Sequence, residues 1–273
     1  MKIGISASAV LSQTERLAEL FRQGIDHIEI VLFENVNVAE SFIRRARRQG
    51  KTVGIHSPLL RGGSKYDLLQ SIDMPQENAW EQIEQELVWC SRFGATYLLV
   101  HFPYAHRSGV LDLPLVQDGI KRLSALQRRT GVKIVCEPKL GDDRDPAGIR
   151  WLRTAPTHIF SNAGLTLCWD VGDHLLANVS ETEYFSQFER WRESISIIHL
   201  HNVRMEGVKY RWVPPHPTRS AVNGEHDLAP IIRRFPRNVT IVSEYTPQQV
   251  ATAANIDTSY HYLRALTQRD GNA

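Results

Sequence analysis

The chain alternates short apolar runs with segments of helical periodicity, and it does so eight times over 273 residues. Strands separated by helices pair in parallel, and eight such units close a sheet into a barrel. Such a barrel typically needs about 250 residues, so the chain has a suitable length. The strand-like runs are residues 2–7, 27–33, 52–57, 97–102, 132–137, 165–170, 196–201 and 239–244.

The segments between these runs carry the signal of amphipathic helices. In the third of them, apolar residues recur at i, i+3, i+7 and i+10, namely Trp80, Ile83, Leu87 and Cys90. This spacing places them on one buried face of a helix. The predicted helices are residues 12–24, 38–50, 78–94, 113–130, 146–154, 181–193, 227–235 and 247–267.

These patterns predict an α/β fold, a single (β/α)8 TIM barrel that forms one domain over residues 1–273. The rival fold is an open doubly wound sheet, which usually carries a glycine-rich phosphate turn after an early strand. The first run, KIGISAS, lacks G-x-G-x-x-G, and the chain has no G-x-x-x-x-G-K-[ST] motif. The irregular stretches 58–77, 103–112, 138–145 and 202–226 all follow strands, so they belong at the mouth where barrel active sites form.

Composition excludes several classes of function. The formal net charge is +2, so the total charge gives no strong field for nucleic acid. The three cysteines have neither zinc-finger spacing nor the density of a disulfide framework. No run approaches the ~18–20 apolar residues of a membrane span, and no secretory signal is evident. We therefore expect a cytoplasmic protein that does not insert into membranes.

Ligand-type residues stand at the ends of six of the eight predicted strands. They are His56, His101, Glu137, Asp170, His201 and Glu244. A parallel barrel brings these strand ends to one mouth, where six such side chains would repel or be poorly solvated without a cation. The pattern therefore predicts a divalent-metal site.

The alternation of side chains along a strand indicates which residues enter the barrel. Asp170 shares its face with Cys168, and Glu244 shares its face with Val242. His201 likewise shares its face with His199. The alternate residues Ile55, Val100, Trp169 and Ser243 are expected to face the helices.

With these residues in this order, the chain resembles the xylose isomerase-like TIM-barrel superfamily over nearly its whole length. That superfamily includes sugar phosphate isomerases and epimerases such as tagatose 3-epimerase, inosose dehydratases and endonuclease IV. The resemblance implies one ion held by Glu137, Asp170, His201 and Glu244, with the two glutamates as the catalytic acid and base. It also implies a second ion at His56 and His101, as in endonuclease IV-like members.

The resemblance also suggests substrate-binding residues, with some departures from the family pattern. Glu29 in HIEIVL matches a family glutamate at the end of the second strand. The usual D-x-x-H after the sixth strand is Asp170-Val-Gly-Asp-His174 here, with the histidine one place late. The D-x-H of the seventh loop becomes Pro-Pro-His216, without its aspartate. The predicted substrate-binding residues are Glu29, His174, His199, His216 and Arg219.

Three functions remain open from the sequence. The first is a sugar or polyol isomerase or epimerase that uses Mn, Zn, Co or Mg as one or two ions and works through an enediolate; a dehydratase would share that intermediate. The second is an endonuclease IV-like phosphodiesterase, and the third is a barrel without catalytic activity. The expected partner is a small-molecule sugar or sugar phosphate rather than nucleic acid, and a homodimer is left open.

Overall fold

The computed structural model describes residues 1–61, 67–72, 74–104, 111–177, 180–207, 209–216, 225–245 and 253–268. Eight parallel strands close into a barrel in the order β1-β10-β7-β6-β5-β4-β3-β2, which confirms the predicted (β/α)8 TIM barrel. A separate antiparallel pair is formed by β8 and β9. The strands are β1 (Lys2–Ser6), β2 (His27–Ile30), β3 (Thr52–His56), β4 (Leu98–His101), β5 (Ile134–Glu137), β6 (Thr166–Asp170), β7 (Ile195–Leu200), β8 (Asn202–Glu206), β9 (Lys209–Val213) and β10 (Thr240–Ser243).

Helices lie between the barrel strands and cover the outside of the sheet. None of the described helices is both long and apolar enough to cross a membrane. The helices are α1 (Val36–Arg48), α2 (Gln76–Phe93), α3 (Leu113–Thr130), α4 (Ala147–Trp151), α5 (Ile159–Asn162), α6 (Val171–Ala177), α7 (Glu181–Trp191), α8 (Ala229–Ile232) and α9 (Ala253–Gln268). The four residues that predicted the apolar face of α2 are all buried.

One helix prediction was wrong in the type of helix and a second was wrong in its length. Residues 12–24 do not form an α-helix but contain a 3₁₀ helix, Thr14–Leu20. Its buried residues, Leu17 and Leu20, are three apart, which suits the three residues per turn of that helix. The helix expected at 227–235 is reduced to the single turn of α8, which has a proline in its first turn.

The stretch 202–226 was expected to be irregular, but its first half forms the β8–β9 hairpin. Asn202 pairs with Val213 at one end of the hairpin and Glu206 pairs with Lys209 at the other. Gly207 lies at the turn with φ of +63°, a conformation that glycine adopts without strain. Apolar and charged residues alternate in this segment, as in Val203-Arg204-Met205-Glu206, which is the pattern of a strand with one face toward solvent. The prediction of an irregular stretch overlooked this pattern.

The interior of the barrel follows the predicted alternation. It contains one small apolar cluster, which consists of Tyr97, Leu99, Val135, Cys168, Ile197 and Val242. Ile55, Val100 and Trp169 instead belong to the large core between the strands and the helices. The residues that end the strands on the interior face therefore lie directly above the apolar cluster, at the carboxyl ends of the strands.

Candidate metal centre

The barrel brings the predicted ligands together, because each one ends a strand or directly follows it. Glu137 ends β5 and Asp170 ends β6, and the two side chains are 0% and 1% exposed. His201 directly follows β7 and is 1% exposed, and Glu244 directly follows β10. The strand ends thus gather buried carboxylates and imidazoles at one mouth, as the sequence predicts.

The ligand atoms fall into two groups that share Glu244. The outer group contains Asp170, His201 and Glu244, and the inner group contains His56, Glu137, His199 and Glu244. Within each group, the ligand atoms all lie within 4.8 Å of one another. The four ligands predicted for one ion are therefore distributed over two adjacent positions.

The outer group has the chemistry and the spacing of a cation site. The Asp170 Oδ1 and His201 Nε2 atoms are 3.1 Å apart. Neither ring nitrogen of His201 makes a hydrogen bond, although both are buried, and the same is true of Glu244 Oε2. Two ligands on one ion at about 2.1 Å are about 3.0–3.4 Å apart, so the observed spacing fits a shared divalent cation.

Gly172 makes room for this arrangement. A Cβ atom at position 172 would lie 2.1 Å from His201 Nε2 and 2.4 Å from Trp212 Cζ3. The Trp212 ring, on β9, covers the imidazole of His201 with the ring centroids 4.2 Å apart. A side chain at position 172 would therefore displace the imidazole of His201 from the outer group.

In the inner group, the tautomer of His56 is suited to binding a metal. Its Nδ1 donates to the Ser57 carbonyl at 2.8 Å, which leaves the lone pair of the neutral ring on Nε2. That Nε2 faces Glu137 Oε2 at 3.6 Å, and His101 Nε2 approaches the same oxygen at 3.2 Å. Glu137 Oε2 has no hydrogen-bond partner despite being buried. The donor set again fits a divalent cation.

The charges at the mouth hold the carboxylates ionised. Burial acts to raise the pKa of Glu137, but the Lys139 ammonium and then His199 outweigh it and hold that pKa well below its ordinary value. Burial also opposes the low pKa of Glu244, and the nearby His199 outweighs it. Asp173 differs, because burial and the neighbouring Asp170 raise its pKa to about 7. The two glutamates are therefore ready to bind a cation near neutral pH.

Sequence reasoning missed Lys139 and Asp173. Lys139 Nζ lies 3.7 Å from Glu137 Oε2 and 3.8 Å from Asp173 Oδ2. The Asp173 backbone N–H donates to Asp170 Oδ1 at 2.8 Å, which orients that ligand. Lys139 follows Glu137 by two positions, and Asp173 stands three positions after Asp170. These short spacings were the available signal, and a search limited to strand ends overlooked them.

A cavity of about 580 Å³ opens beside the inner group and contains Lys139 and His101 in its wall. Its size is that of a small-molecule pocket. Tyr104 and Tyr210 supply aromatic surface, and the Arg144 guanidinium lies 4.3 Å from the centre of the Tyr210 ring. The wall thus combines rings with cationic groups next to the candidate ligands.

The five residues predicted to bind the substrate do not lie together. His174 is buried away from the mouth, where its ring stacks on Trp169 with centroids 3.5 Å apart. His216 follows β9 and is half-buried, and neither ligand group includes it. Arg219 lies outside the described residues. Glu29 and His199 are both fully buried inside the barrel below the mouth, where they pair with each other.

Arg61, a basic residue near the mouth, donates its hydrogen bonds to backbone carbonyls of the loops that follow β1 and β2. Its Nε donates to the Leu32 carbonyl at 2.9 Å, and its Nη2 donates to the carbonyls of Leu11 and Ser12 at 2.9 and 2.8 Å. All three acceptor residues have positive φ, between 49° and 52°. The guanidinium therefore holds two strained turns together rather than standing free to bind a phosphate.

The fold and the site define a (β/α)8 barrel that gathers carboxylates and imidazoles at the carboxyl ends of its strands. A family model described as "Xylose isomerase-like TIM barrel" matches residues 17–266. The chain therefore belongs to this family, and the resemblance inferred from its sequence is confirmed. No curated protein matches the chain in sequence.

Solved structures agree in fold at low sequence identity. A xylose isomerase domain-containing protein from Salmonella typhimurium is 16% identical over 97% of both chains, with a TM-score of 0.69. An L-ribulose 3-epimerase is 14% identical over 98% of this chain and 95% of its own, with a TM-score of 0.69. A xylose isomerase-like TIM barrel protein from Mycobacterium smegmatis, in complex with magnesium, is 15% identical over 95% of this chain and 88% of its own, with a TM-score of 0.58.

Proposed function

We propose that the protein is a divalent-metal-dependent isomerase or epimerase that acts on a sugar or related polyol. The observation that carries this proposal is the convergence of Glu137 and Glu244. Glu137 Oε1 and Glu244 Oε2 approach the same ring nitrogen of His199, at 2.9 and 2.7 Å, from β5 and β10, which are three steps apart around the barrel. Two ionised carboxylates that converge beside a substrate-sized cavity are suited to moving a proton between them and a bound substrate.

Asp170, His201 and Glu244 would hold one ion, and Glu137 with His56 would hold a second or share the first. The orphaned nitrogens of His201 and the lone pair on Nε2 of His56 support this assignment. Bound there, a divalent cation supplies Lewis-acid stabilisation for negative charge that develops on the substrate oxygens.

The remaining chemistry falls to residues of the chain. One glutamate removes the proton from the carbon next to the substrate carbonyl, which leaves an enediolate. The other glutamate, which is ionised at rest, first takes up a proton from solvent and then delivers it to the substrate. Delivery to the opposite face of the same carbon gives an epimer, and delivery to the neighbouring carbon, with the enediol hydroxyl proton passing to the other oxygen, gives an isomer. The Lys139 ammonium lies beside Glu137 and the cavity, where it favours the ionised form of that glutamate and any negative charge on the substrate.

Two similarities in fold support the proposal: the barrel is shared with an L-ribulose 3-epimerase, and a barrel of the same type was solved in complex with magnesium. The test is to incubate the metal-loaded protein with a panel of ketoses and aldoses in D₂O. Epimerase or isomerase activity should introduce deuterium at the carbon next to the carbonyl. Turnover of a substrate without deuterium incorporation would contradict the proton-transfer mechanism.

A phosphodiesterase of the endonuclease IV type is the second candidate, because His56 and His101 both approach Glu137 Oε2. Two ions a few ångströms apart would suit phosphoryl displacement. The use of Arg61 to hold the rim removes one basic group that such an enzyme would need for DNA phosphates. Cleavage of abasic-site DNA by the metal-loaded protein would establish this alternative.

A further inference from the structure

We infer that Trp212, on the β8–β9 hairpin, is a positioning residue for His201, a candidate ligand of the outer group. The indole holds the imidazole in the orientation in which it lies beside Asp170 and Glu244. The inference rests on the proposed function, because it concerns the same site. It places Trp212 in contact with the ligand and not with the ion or the substrate.

His201 lacks the polar partner that usually orients a metal-binding histidine. Such a histidine binds the ion through one ring nitrogen and donates the other N–H to a carboxylate, a carbonyl or water. The Nδ1 of His56 is bound in this way, 2.8 Å from the Ser57 carbonyl oxygen. The Nε2 of His201 lies 3.1 Å from Asp170 Oδ1, so its Nδ1 is the nitrogen that needs an orienting partner. Within the part of the chain that the structure describes, this Nδ1 is buried without a hydrogen bond. The orientation of the imidazole therefore has to come from packing.

Trp212 and the backbone of α6 supply that packing. The indole and imidazole centroids are 4.2 Å apart, and the two ring planes are inclined by 45°. A Cβ atom at Gly172 would lie 2.1 Å from His201 Nε2, 2.4 Å from His201 Cδ2 and 2.4 Å from Trp212 Cζ3. The backbone at Gly172, the imidazole and the indole therefore meet at one point. The imidazole has little room to turn away from Asp170, which lies two residues before Gly172.

The hairpin brings Trp212 to this point. His201 directly precedes β8, and Trp212 pairs with Val203 across the hairpin. The base of the hairpin is fixed by Asn202, whose side-chain N–H donates to the His226 carbonyl at 2.7 Å. The backbone N–H of His226 donates to Asn202 Oδ1 at 3.0 Å in return. The place of the indole beside the ligand thus follows from the register of the hairpin.

A second aromatic contact restrains the indole from the side of the cavity. Tyr210 stands two residues before Trp212 and shares its face of β9. The two ring centroids are 4.7 Å apart at an interplanar angle of 61°. The Arg144 guanidinium lies 4.3 Å from the centre of the Tyr210 ring. The indole therefore packs on a second ring as well as on the imidazole, which limits its own freedom to turn.

An orienting contact made by packing should have the same consequence as one made by a hydrogen bond. Replacing the outer partner of a metal-binding histidine typically costs about 10–100-fold in metal affinity. The face of an indole also attracts positive charge, and an imidazole that binds a cation becomes electron-poor. A merely structural role for Trp212 would lower the stability of the protein and leave ion binding unchanged.

The experiment compares Trp212→Leu with the wild type, with Trp212→Phe and with Trp89→Leu as the matched control. Trp89 is also half-buried against the large core. It lies in the last turn of α2, which leads into β4 from the end of the barrel opposite the mouth. Mn²⁺ and Co²⁺ are titrated into each apoprotein by calorimetry, the visible spectrum of the Co²⁺ form is recorded, and unfolding by urea gives the stability of each variant.

We expect Trp212→Leu to bind Mn²⁺ about 10–100-fold more weakly, with the number of bound ions unchanged, and to shift the Co²⁺ spectrum. Trp212→Phe keeps a ring over the imidazole and should recover most of the lost affinity. Trp89→Leu should keep the affinity and the spectrum of the wild type at a lower stability. If Trp212→Leu does not fold, Trp212→Met takes its place with the same expectation, because methionine fills the space without a ring.

Three results would overturn the inference. The first is wild-type affinity and spectrum in Trp212→Leu, or in Trp212→Met where only that variant folds. The second is a loss of affinity in Trp212→Leu that Trp89→Leu or Trp212→Phe matches, since the loss would then not depend on a ring over His201. The third is a wild-type protein that binds neither Mn²⁺ nor Co²⁺. This last result would remove the proposed function as well, whereas the first two leave it intact.

Discussion

At the scale of single residues, Glu137 and Glu244 differ in their burial and in their neighbours, although both lie at the mouth of the barrel. Glu137 is fully buried and lies between Lys139, His199 and the histidines of β3 and β4. Glu244 is 17% exposed and belongs to both ligand groups. The proposed function gives each carboxylate a role in binding an ion and a role in proton transfer, and replacement by glutamine would separate the two.

We expect Glu137→Gln and Glu244→Gln each to lose about 10²–10⁴-fold in turnover, because glutamine keeps the shape but cannot exchange the proton. The rate is measured on whichever sugar the deuterium screen identifies. Glu77→Gln is the control, since that glutamate pairs with Arg122 on the exposed faces of α2 and α3. A rate near that of the wild type in Glu244→Gln would rule out the mechanism with two glutamates.

The contribution of His56 and His101 is measured by counting ions. If they hold a second ion with Glu137, the double variant His56→Ala/His101→Ala should bind one ion fewer than the wild type, as determined by elemental analysis after dialysis. The expectation follows from the distances of 3.6 and 3.2 Å to Glu137 Oε2. An unchanged count would assign both imidazoles to the substrate or to the packing of the mouth.

The sequence predicted which residues lie at the mouth, because they end strands. It did not predict how they divide into the inner and the outer group. His199 and His201 share a face of β7, and only the relative heights of neighbouring strands decide which carboxylate each one meets. In the barrel, Asp170 is level with His199 along β6 and β7, yet its side chain pairs with His201. Asp170 pairs with His201 because of the direction in which its side chain points, and the alternation of residues along a strand does not predict that direction.

At the scale of elements, α2 supports the loop that follows β3. Glu86 of α2 is 2% exposed, and its Oε1 accepts a hydrogen bond from the Leu59 backbone at 2.9 Å. Leu59 lies three residues after His56, so this contact ties a candidate ligand strand to a helix. The buried carboxyl therefore couples the packing of α2 to the position of the mouth.

The burial of Glu86 should make stability depend on pH. Burial raises the pKa of Glu86 from 4.5 to about 7, so the folded state keeps a proton that the unfolded chain releases. The stabilisation is complete below about pH 4.5 and is lost as the pH rises through 7. Because a tenfold change in proton affinity corresponds to about 1.4 kcal/mol, this pKa difference amounts to about 3 kcal/mol.

Glu86→Gln, which is always neutral, should therefore gain stability relative to the wild type between pH 5 and pH 8. Urea unfolding at several pH values measures the difference between the two proteins. A difference that stays constant over this range would mean that the folded protein does not hold the proton on Glu86.

At the scale of the whole molecule, an ion at the mouth would link strands from around the barrel. If the ion binds only the folded chain, 1 mM of a cation with a Kd of ~1 μM should add about 4 kcal/mol to the free energy of unfolding. At the sensitivity usual for large domains, this raises the Tm by roughly 10 °C. The measurement is thermal unfolding with Mn²⁺ and then with excess chelator.

Two aspartate variants test whether the rise in Tm comes from an ion at the mouth. Asp170→Asn removes a candidate ligand and should abolish most of the rise in Tm, whereas Asp118→Asn alters only an exposed pair with Lys121 and should retain it. An equal rise in both variants would mean that the cation stabilises the protein from somewhere else.

The architecture was predictable because eight apolar runs need a closed parallel sheet, and all eight strands form close to their expected places. The short helices were harder to predict from the sequence. In segments as short as α4 and α8, the helix propensity of the residues has little influence on where the helix begins and ends. The β8–β9 hairpin was not expected, although apolar and charged residues alternate along both strands. Each strand has only five residues, and the whole segment was assigned to the irregular stretches that follow barrel strands.

The hydrogen bonds from Arg61 to the carbonyls of Leu11, Ser12 and Leu32 affect the shape of one side of the cavity. Leu32 also forms part of the cavity wall. Left-handed backbone costs a non-glycine residue roughly 1–2 kcal/mol. The guanidinium of Arg61 offsets this cost together with backbone hydrogen bonds such as those from Ser12 to Ala7 and from Leu32 to Pro58. That side of the cavity is consequently preformed. If the substrate of the proposed reaction binds in this cavity, we expect a substrate that is too broad on this side to be excluded, and any adjustment to its shape to come from the opposite wall.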